Sequence, residues 1–78
     1  MYLHVGNDTV VKTSELVAVL TAKMLNESPL LQRFLNENGV VDLAEGNAKS
    51  IVITLHHIYL SPIGSTALKR KSAKMSTL

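Results

Sequence analysis

Ser28-Pro29-Leu30-Leu31-Gln32-Arg33-Phe34-Leu35-Asn36-Glu37-Asn38-Gly39 carries its own start, face and stop. Serine at the N-cap accepts a hydrogen bond from an otherwise unpaired helix amide. Proline at the first helical position loses nothing by lacking an amide hydrogen. Leu30, Leu31, Phe34 and Leu35 recur at one-and-four spacing as a single apolar stripe, and Gln32, Arg33, Asn36 and Glu37 take the other side. Asn38-Gly39 supplies the left-handed stop. The spacing predicts a helix over about 29–38.

What surrounds this helix is β-rich. YLHV (2–5) and TVVK (9–12) flank Gly6-Asn7-Asp8, residues that accept positive φ, and the pair reads as a hairpin. Thr13-Ser14-Glu15 interrupts before LVAVL (16–20), a short continuous apolar run that fits a buried strand. Downstream, 40–43 and 50–54 flank Glu45-Gly46-Asn47 and read as a second hairpin with a loop between. Leu55-His56-His57 then breaks the pattern before a strand at 58–61, ended by Pro62. Gly64-Ser65 opens a last helix, about 66–75, with Leu68, Ser72 and Met75 on one face. The expected class is α+β: one small antiparallel sheet, one packed central helix and a C-terminal basic helix, in a single domain over 1–78.

Charge is divided unevenly along the chain. Lys69, Arg70, Lys71 and Lys74 give the last fourteen residues +4 with no acid, whereas the first sixty-four carry four basic and six acidic side chains, a net −2. The run is either a solvated helix face or a polyanion contact, and charge alone weighs the two about evenly. A membrane surface fits less well, because the face bearing Leu68 and Met75 lacks tryptophan and phenylalanine. Only Tyr2, Phe34 and Tyr59 are aromatic, too few for a base-stacking platform.

Size points to self-assembly. A chain of 78 residues builds a marginal core, and with no cysteine it has neither disulfides nor thiolate-bound zinc to reinforce it. Yet 46% of its residues are apolar, more than so small a body hides alone, so a homo-oligomer is expected. No apolar run approaches the ~20 residues of a membrane span. The N-terminus has no basic region followed by an apolar signal core, and a cytoplasmic location is expected.

Chemistry-bearing constellations are sparse. His56 and His57 are adjacent, so on a strand they point to opposite faces and do not readily share one ion. A turn or surface pair is the better reading. Six scattered acids and serines in capping positions offer no nucleophile with a base and no opposed carboxylates. Neither an enzyme nor a metal nor a cofactor is expected.

MYLHVGNDTVVKTSELVAVL, SPLLQRFL and KSIVITLHHIYLSPIGSTALKRK, in this order and spacing, resemble the Rem family of extracellular-matrix (biofilm) regulators, and its RemB-like branch in particular. Gly6, Val10-Val11, Ser28-Pro29 with Phe34-Leu35, Lys49-Ser50-Ile51-Val52, and Tyr59 with Ser61-Pro62 carry the likeness over nearly the whole chain. The resemblance implies a cytoplasmic bacterial transcription regulator that binds promoter DNA. It also implies closed rings of about seven or eight subunits with DNA along a basic rim, heterologous contacts that close being what makes a ring.

This chain departs from that pattern where it matters for DNA. The family's important arginines lie in the segment entering the third strand and in the hairpin before the fourth. Here those segments read Thr13-Ser14-Glu15 and Gly46-Asn47-Ala48-Lys49. What the resemblance carries over is Lys49, with Asn47 as a polar contact, leaving Lys69, Arg70, Lys71 and Lys74 to supply the remaining phosphate contacts. Recognition is expected to follow shape and charge, since few arginines are available for bidentate contacts to guanine. The alternative is an oligomeric protein-interaction module of the same fold that leaves DNA alone.

Overall fold

A computed structural model describes the backbone of residues 1–76 and the side chains of residues 1–71. The order is β1 (Tyr2–Gly6), β2 (Thr9–Lys12), a 3-10 turn (Thr13–Glu15), β3 (Leu16–Thr21), α1 (Met24–Glu27), α2 (Pro29–Asn38), β4 (Val41–Asp42), β5 (Ser50–Thr54), β6 (Ile58–Ser61) and α3 (Ser65–Ser76). The class is α+β.

β1 and β2 form an antiparallel hairpin of their own. Asn7 and Asp8 both take positive φ, 49° and 61°, which matches the turn's twist to that of the strands. Gly6 sits at a register shift with φ 123°, and a Cβ there would lie 2.7 Å from Pro62 Cδ. Only glycine lets the hairpin approach the end of β6 so closely.

The other four strands make one sheet in the order β3-β5-β6-β4. β5 is antiparallel to both β3 and β6, whereas β4 pairs parallel to β6. The hairpin expected between 40–43 and 50–54 is therefore absent, and the sheet is mixed. Ser50, Ile51 and Val52 are all completely buried, so β5 needs neighbours on both edges and cover on both faces. β4 has two residues, both exposed, and fits only a rim. α1 and α2 carry the chain between the two edge strands. Four residues long and without a period to read, α1 has no counterpart in the sequence reading.

Each face of the sheet has its own core. On one, Leu3, Val5 and Val11 of the hairpin and Leu68 of α3 pack with Val19 and Val52. On the other, Leu35 of α2 packs with Ile51 and Ile58, flanked by Leu20, Leu31 and Leu60. Strand alternation divides the side chains, Val52 going to the hairpin side and Ile51 to the helix side. Two buried serines lock the first layer. Ser61 Oγ donates to the Val5 carbonyl at 2.6 Å, and Ser50 Oγ donates to the Ile63 carbonyl at 2.7 Å. The second bond fixes the connection into α3.

α2 starts as its sequence indicates, with Ser28 Oγ accepting from the Leu31 amide at 3.1 Å. Its apolar stripe divides, however. Leu35 is buried and Leu31 half-buried, while Leu30 is 75% and Phe34 42% exposed. The stripe is wider than the strip the sheet covers.

Candidate nucleic-acid interface

Among the described residues of the basic helix, one is fully buried. Leu68 is completely buried among Leu3, Val5 and Val52, and its amide bonds the Gly64 carbonyl at 3.1 Å. At about 100° per residue, Lys69 and Arg70 turn onto the far side of the helix, while Lys71 returns to within about 60° of Leu68. All three, Lys69, Arg70 and Lys71, are exposed. Among the described residues, no carboxylate lies within salt-bridge distance of any of them. Lys74 stands on the same helix, but its side chain is outside the described residues, as are those of Ser72 and Met75.

Lys49 lies elsewhere, at the end of the sheet where β5 begins. Its amide donates to the Ser61 carbonyl at 2.8 Å, and its carbonyl accepts from Ala22 at 3.1 Å. The side chain is exposed at a cleft of about 320 Å³ lined by Thr21, Ala22, Lys23, Asn26, Ala48 and Lys49. Lys23 is the cation that sequence reasoning missed. It follows a strand in an unremarkable turn, and only the β3–β5 pairing of Thr21 with Ser50 brings it to Lys49. The α3 cations do not line this cleft.

Asn47 is exposed in the loop before β5, and its amide bonds the Ala44 carbonyl at 3.0 Å. Asp42 shapes this loop, accepting from the Ala44 amide at 2.9 Å and the Gly46 amide at 3.2 Å. Asn47 and Lys49 thus share a loop, yet only Lys49 reaches the cleft.

The segment entering β3 presents Glu15, whose Oε1 is 3.6 Å from His56 Nε2. A cleft of about 250 Å³ opens there between the β1–β2 hairpin and the β5–β6 turn, with His57 and Tyr59 also on its wall. Both histidines are exposed residues of that turn, and among the described residues no group of three or more potential ligands is placed to hold a metal ion. No helix among those residues is long and apolar enough to cross a membrane.

Comparison with known proteins agrees with the likeness read from the residues. The model of the RemA-like family, extracellular matrix regulatory protein A-like, matches residues 2–71. The chain is 40% identical over 77 residues to extracellular matrix regulatory protein B of Bacillus subtilis (strain 168), covering 96% of this chain and 94% of that protein.

Proposed function

The chain belongs to the RemA-like family, and from that premise we propose that it regulates extracellular-matrix (biofilm) genes in the cytoplasm by binding double-stranded DNA as a ring of identical subunits. The observation that carries the DNA contact is the outer face of α3. Lys69, Arg70 and Lys71 stand exposed on a helix anchored by fully buried Leu68. One such helix gives a weak, non-specific contact. Seven or eight around a rim add their phosphate contacts and with them their salt dependence.

Self-assembly is supported by the apolar surface that one subunit leaves uncovered. Met24, Leu30 and Phe34 border an almost wholly apolar cleft of about 450 Å³ beside α2. Covering that surface with a neighbouring copy supplies the burial that so short a chain lacks, and a closed ring protects edge strands as well.

A titration of promoter-type duplex at several salt concentrations tests the reading. Log affinity should fall steeply with log salt. The Lys69→Ala/Arg70→Ala/Lys71→Ala variant should flatten the slope by roughly 0.9 for each phosphate that an engaged subunit no longer neutralises. A flat response in the wild type, or an unchanged slope in the triple variant, would remove α3 from the interface.

A second reading, the interaction module that leaves DNA alone, is favoured by Glu15. Its carboxylate sits beside His56 in the segment where the family resemblance implies a base. Failure to comigrate with duplex at about 50–100 mM salt, where phosphate contacts are strong, would select it.

A further inference from the structure

We propose that the cleft between the β3–α1 turn and the start of β5 is a second DNA contact, in which Lys23 and Lys49 close on a single backbone phosphate. The proposal rests on the DNA-binding reading above and adds two residues, Lys23 and Asn26, to Lys49, which the family resemblance already implies. Both lysines are exposed at the cleft, and no carboxylate is among its lining residues. Neither lysine pairs with an acid among the described residues. The Asn26 side chain, on the same wall, makes no hydrogen bond among the described residues and is free to donate to an oxyanion.

The backbone holds these groups in place before anything binds. Ala22 donates to the Lys49 carbonyl at 3.1 Å, one step beyond the Thr21–Ser50 pair, so the two lysine-bearing segments are tied across the cleft. The Lys23 amide is 3.4 Å from Thr21 Oγ1, and the Asn26 amide donates to the Lys23 carbonyl at 3.1 Å. A tetrahedral anion seated in the cleft meets two cationic side chains carried on tied backbone. A duplex lying along the rim offers phosphodiesters as that anion.

Sharing one phosphate has a signature that two separate surface lysines lack. Counterion release counts phosphates rather than lysines, so Lys23→Gln/Lys49→Gln should lower the salt slope by only about 0.9 per engaged subunit. Affinity losses of the two single variants should sum to more than that of the double. Lys23→Arg/Lys49→Arg should keep the wild-type slope. In parallel, amide resonances of Ala22, Lys23, Asn26 and Lys49 should shift saturably with dimethyl phosphate in the wild type and stay still in the double glutamine variant.

A slope unchanged by Lys23→Gln/Lys49→Gln, while the α3 triple variant still flattens it, would overturn this inference and spare the reading it rests on. A drop of roughly twice 0.9 would mean two independent phosphates and would also overturn it. Wild-type protein without salt-dependent duplex binding would overturn both. Shifts by dimethyl phosphate in that case would mark the cleft as a site for a free phosphoryl ligand instead.

Discussion

α2 and α3 are packed alike and finished differently. Each lies on one face of the same four-stranded sheet and sinks one leucine into it, Leu35 at 5% and Leu68 at 0% exposure. Outside, α2 presents Leu30 and Phe34, whereas α3 presents Lys69, Arg70 and Lys71. The inner face of an amphipathic helix is answerable to the core, and its outer face is answerable to whatever it meets. An apolar outer face is costly in water unless another surface covers it. A cationic one is stable in water and gains from a polyanion. The two helices divide between them what the proposed self-assembling, DNA-binding subunit requires.

The contrast breaks most severely at its anchor. Leu68→Ala empties a fully buried site between α3 and the hairpin, and large-to-small changes of this kind cost about 2–5 kcal/mol. A denaturant titration should show the unfolding free energy fall by that amount, with α3 losing its hold on the sheet. A loss well under 1 kcal/mol would mean that Leu68 does not secure the helix.

Charging the outer face of α2 sharpens the comparison instead. Leu30→Asp/Phe34→Asp should leave the subunit folded, because Leu30 and Phe34 are 75% and 42% exposed. If the pair sits at the centre of a contact between copies, its removal costs upward of about 2 kcal/mol per interface, as central interface anchors do. Light scattering should then report a collapse in mass, with far-ultraviolet circular dichroism unchanged. A variant that assembles like the wild type would place the contact elsewhere.

A smaller effect separates helix formation from helix function. Ser28→Ala removes the hydroxyl that receives the Leu31 amide and should lower stability by about 1 kcal/mol. Assembly and duplex binding should persist at temperatures where the subunit stays folded. Selective loss of assembly in a fully folded Ser28→Ala protein would mean the start of α2 is itself part of the contact.

Sequence made the local decisions readable and the distant ones not. The Ser28-Pro29 cap, the β1–β2 turn at Asn7-Asp8 and the strand at 50–54 all depend on residues within a few positions of one another. The partners of β5 depend on which strands can cover a segment buried on both faces, and that is a property of the whole sheet. The second hairpin failed for this reason. The period of Leu30, Leu31, Phe34 and Leu35 revealed an apolar stripe, but its width relative to the sheet decided which residues stayed outside. Of the candidate site, the α3 cations were visible as a run. Lys23 was not, since its meeting with Lys49 is made by pairing between segments far apart in the chain.

Sedimentation of the purified protein, alone and with duplex at low salt, tests most directly whether copies of this chain join to present cations to DNA. The predicted result is one species at seven or eight times the 8.5 kDa chain mass, shifting to a heavier complex with duplex and back again as salt rises. A stable 8.5 kDa monomer, indifferent to duplex at every salt concentration, would contradict it.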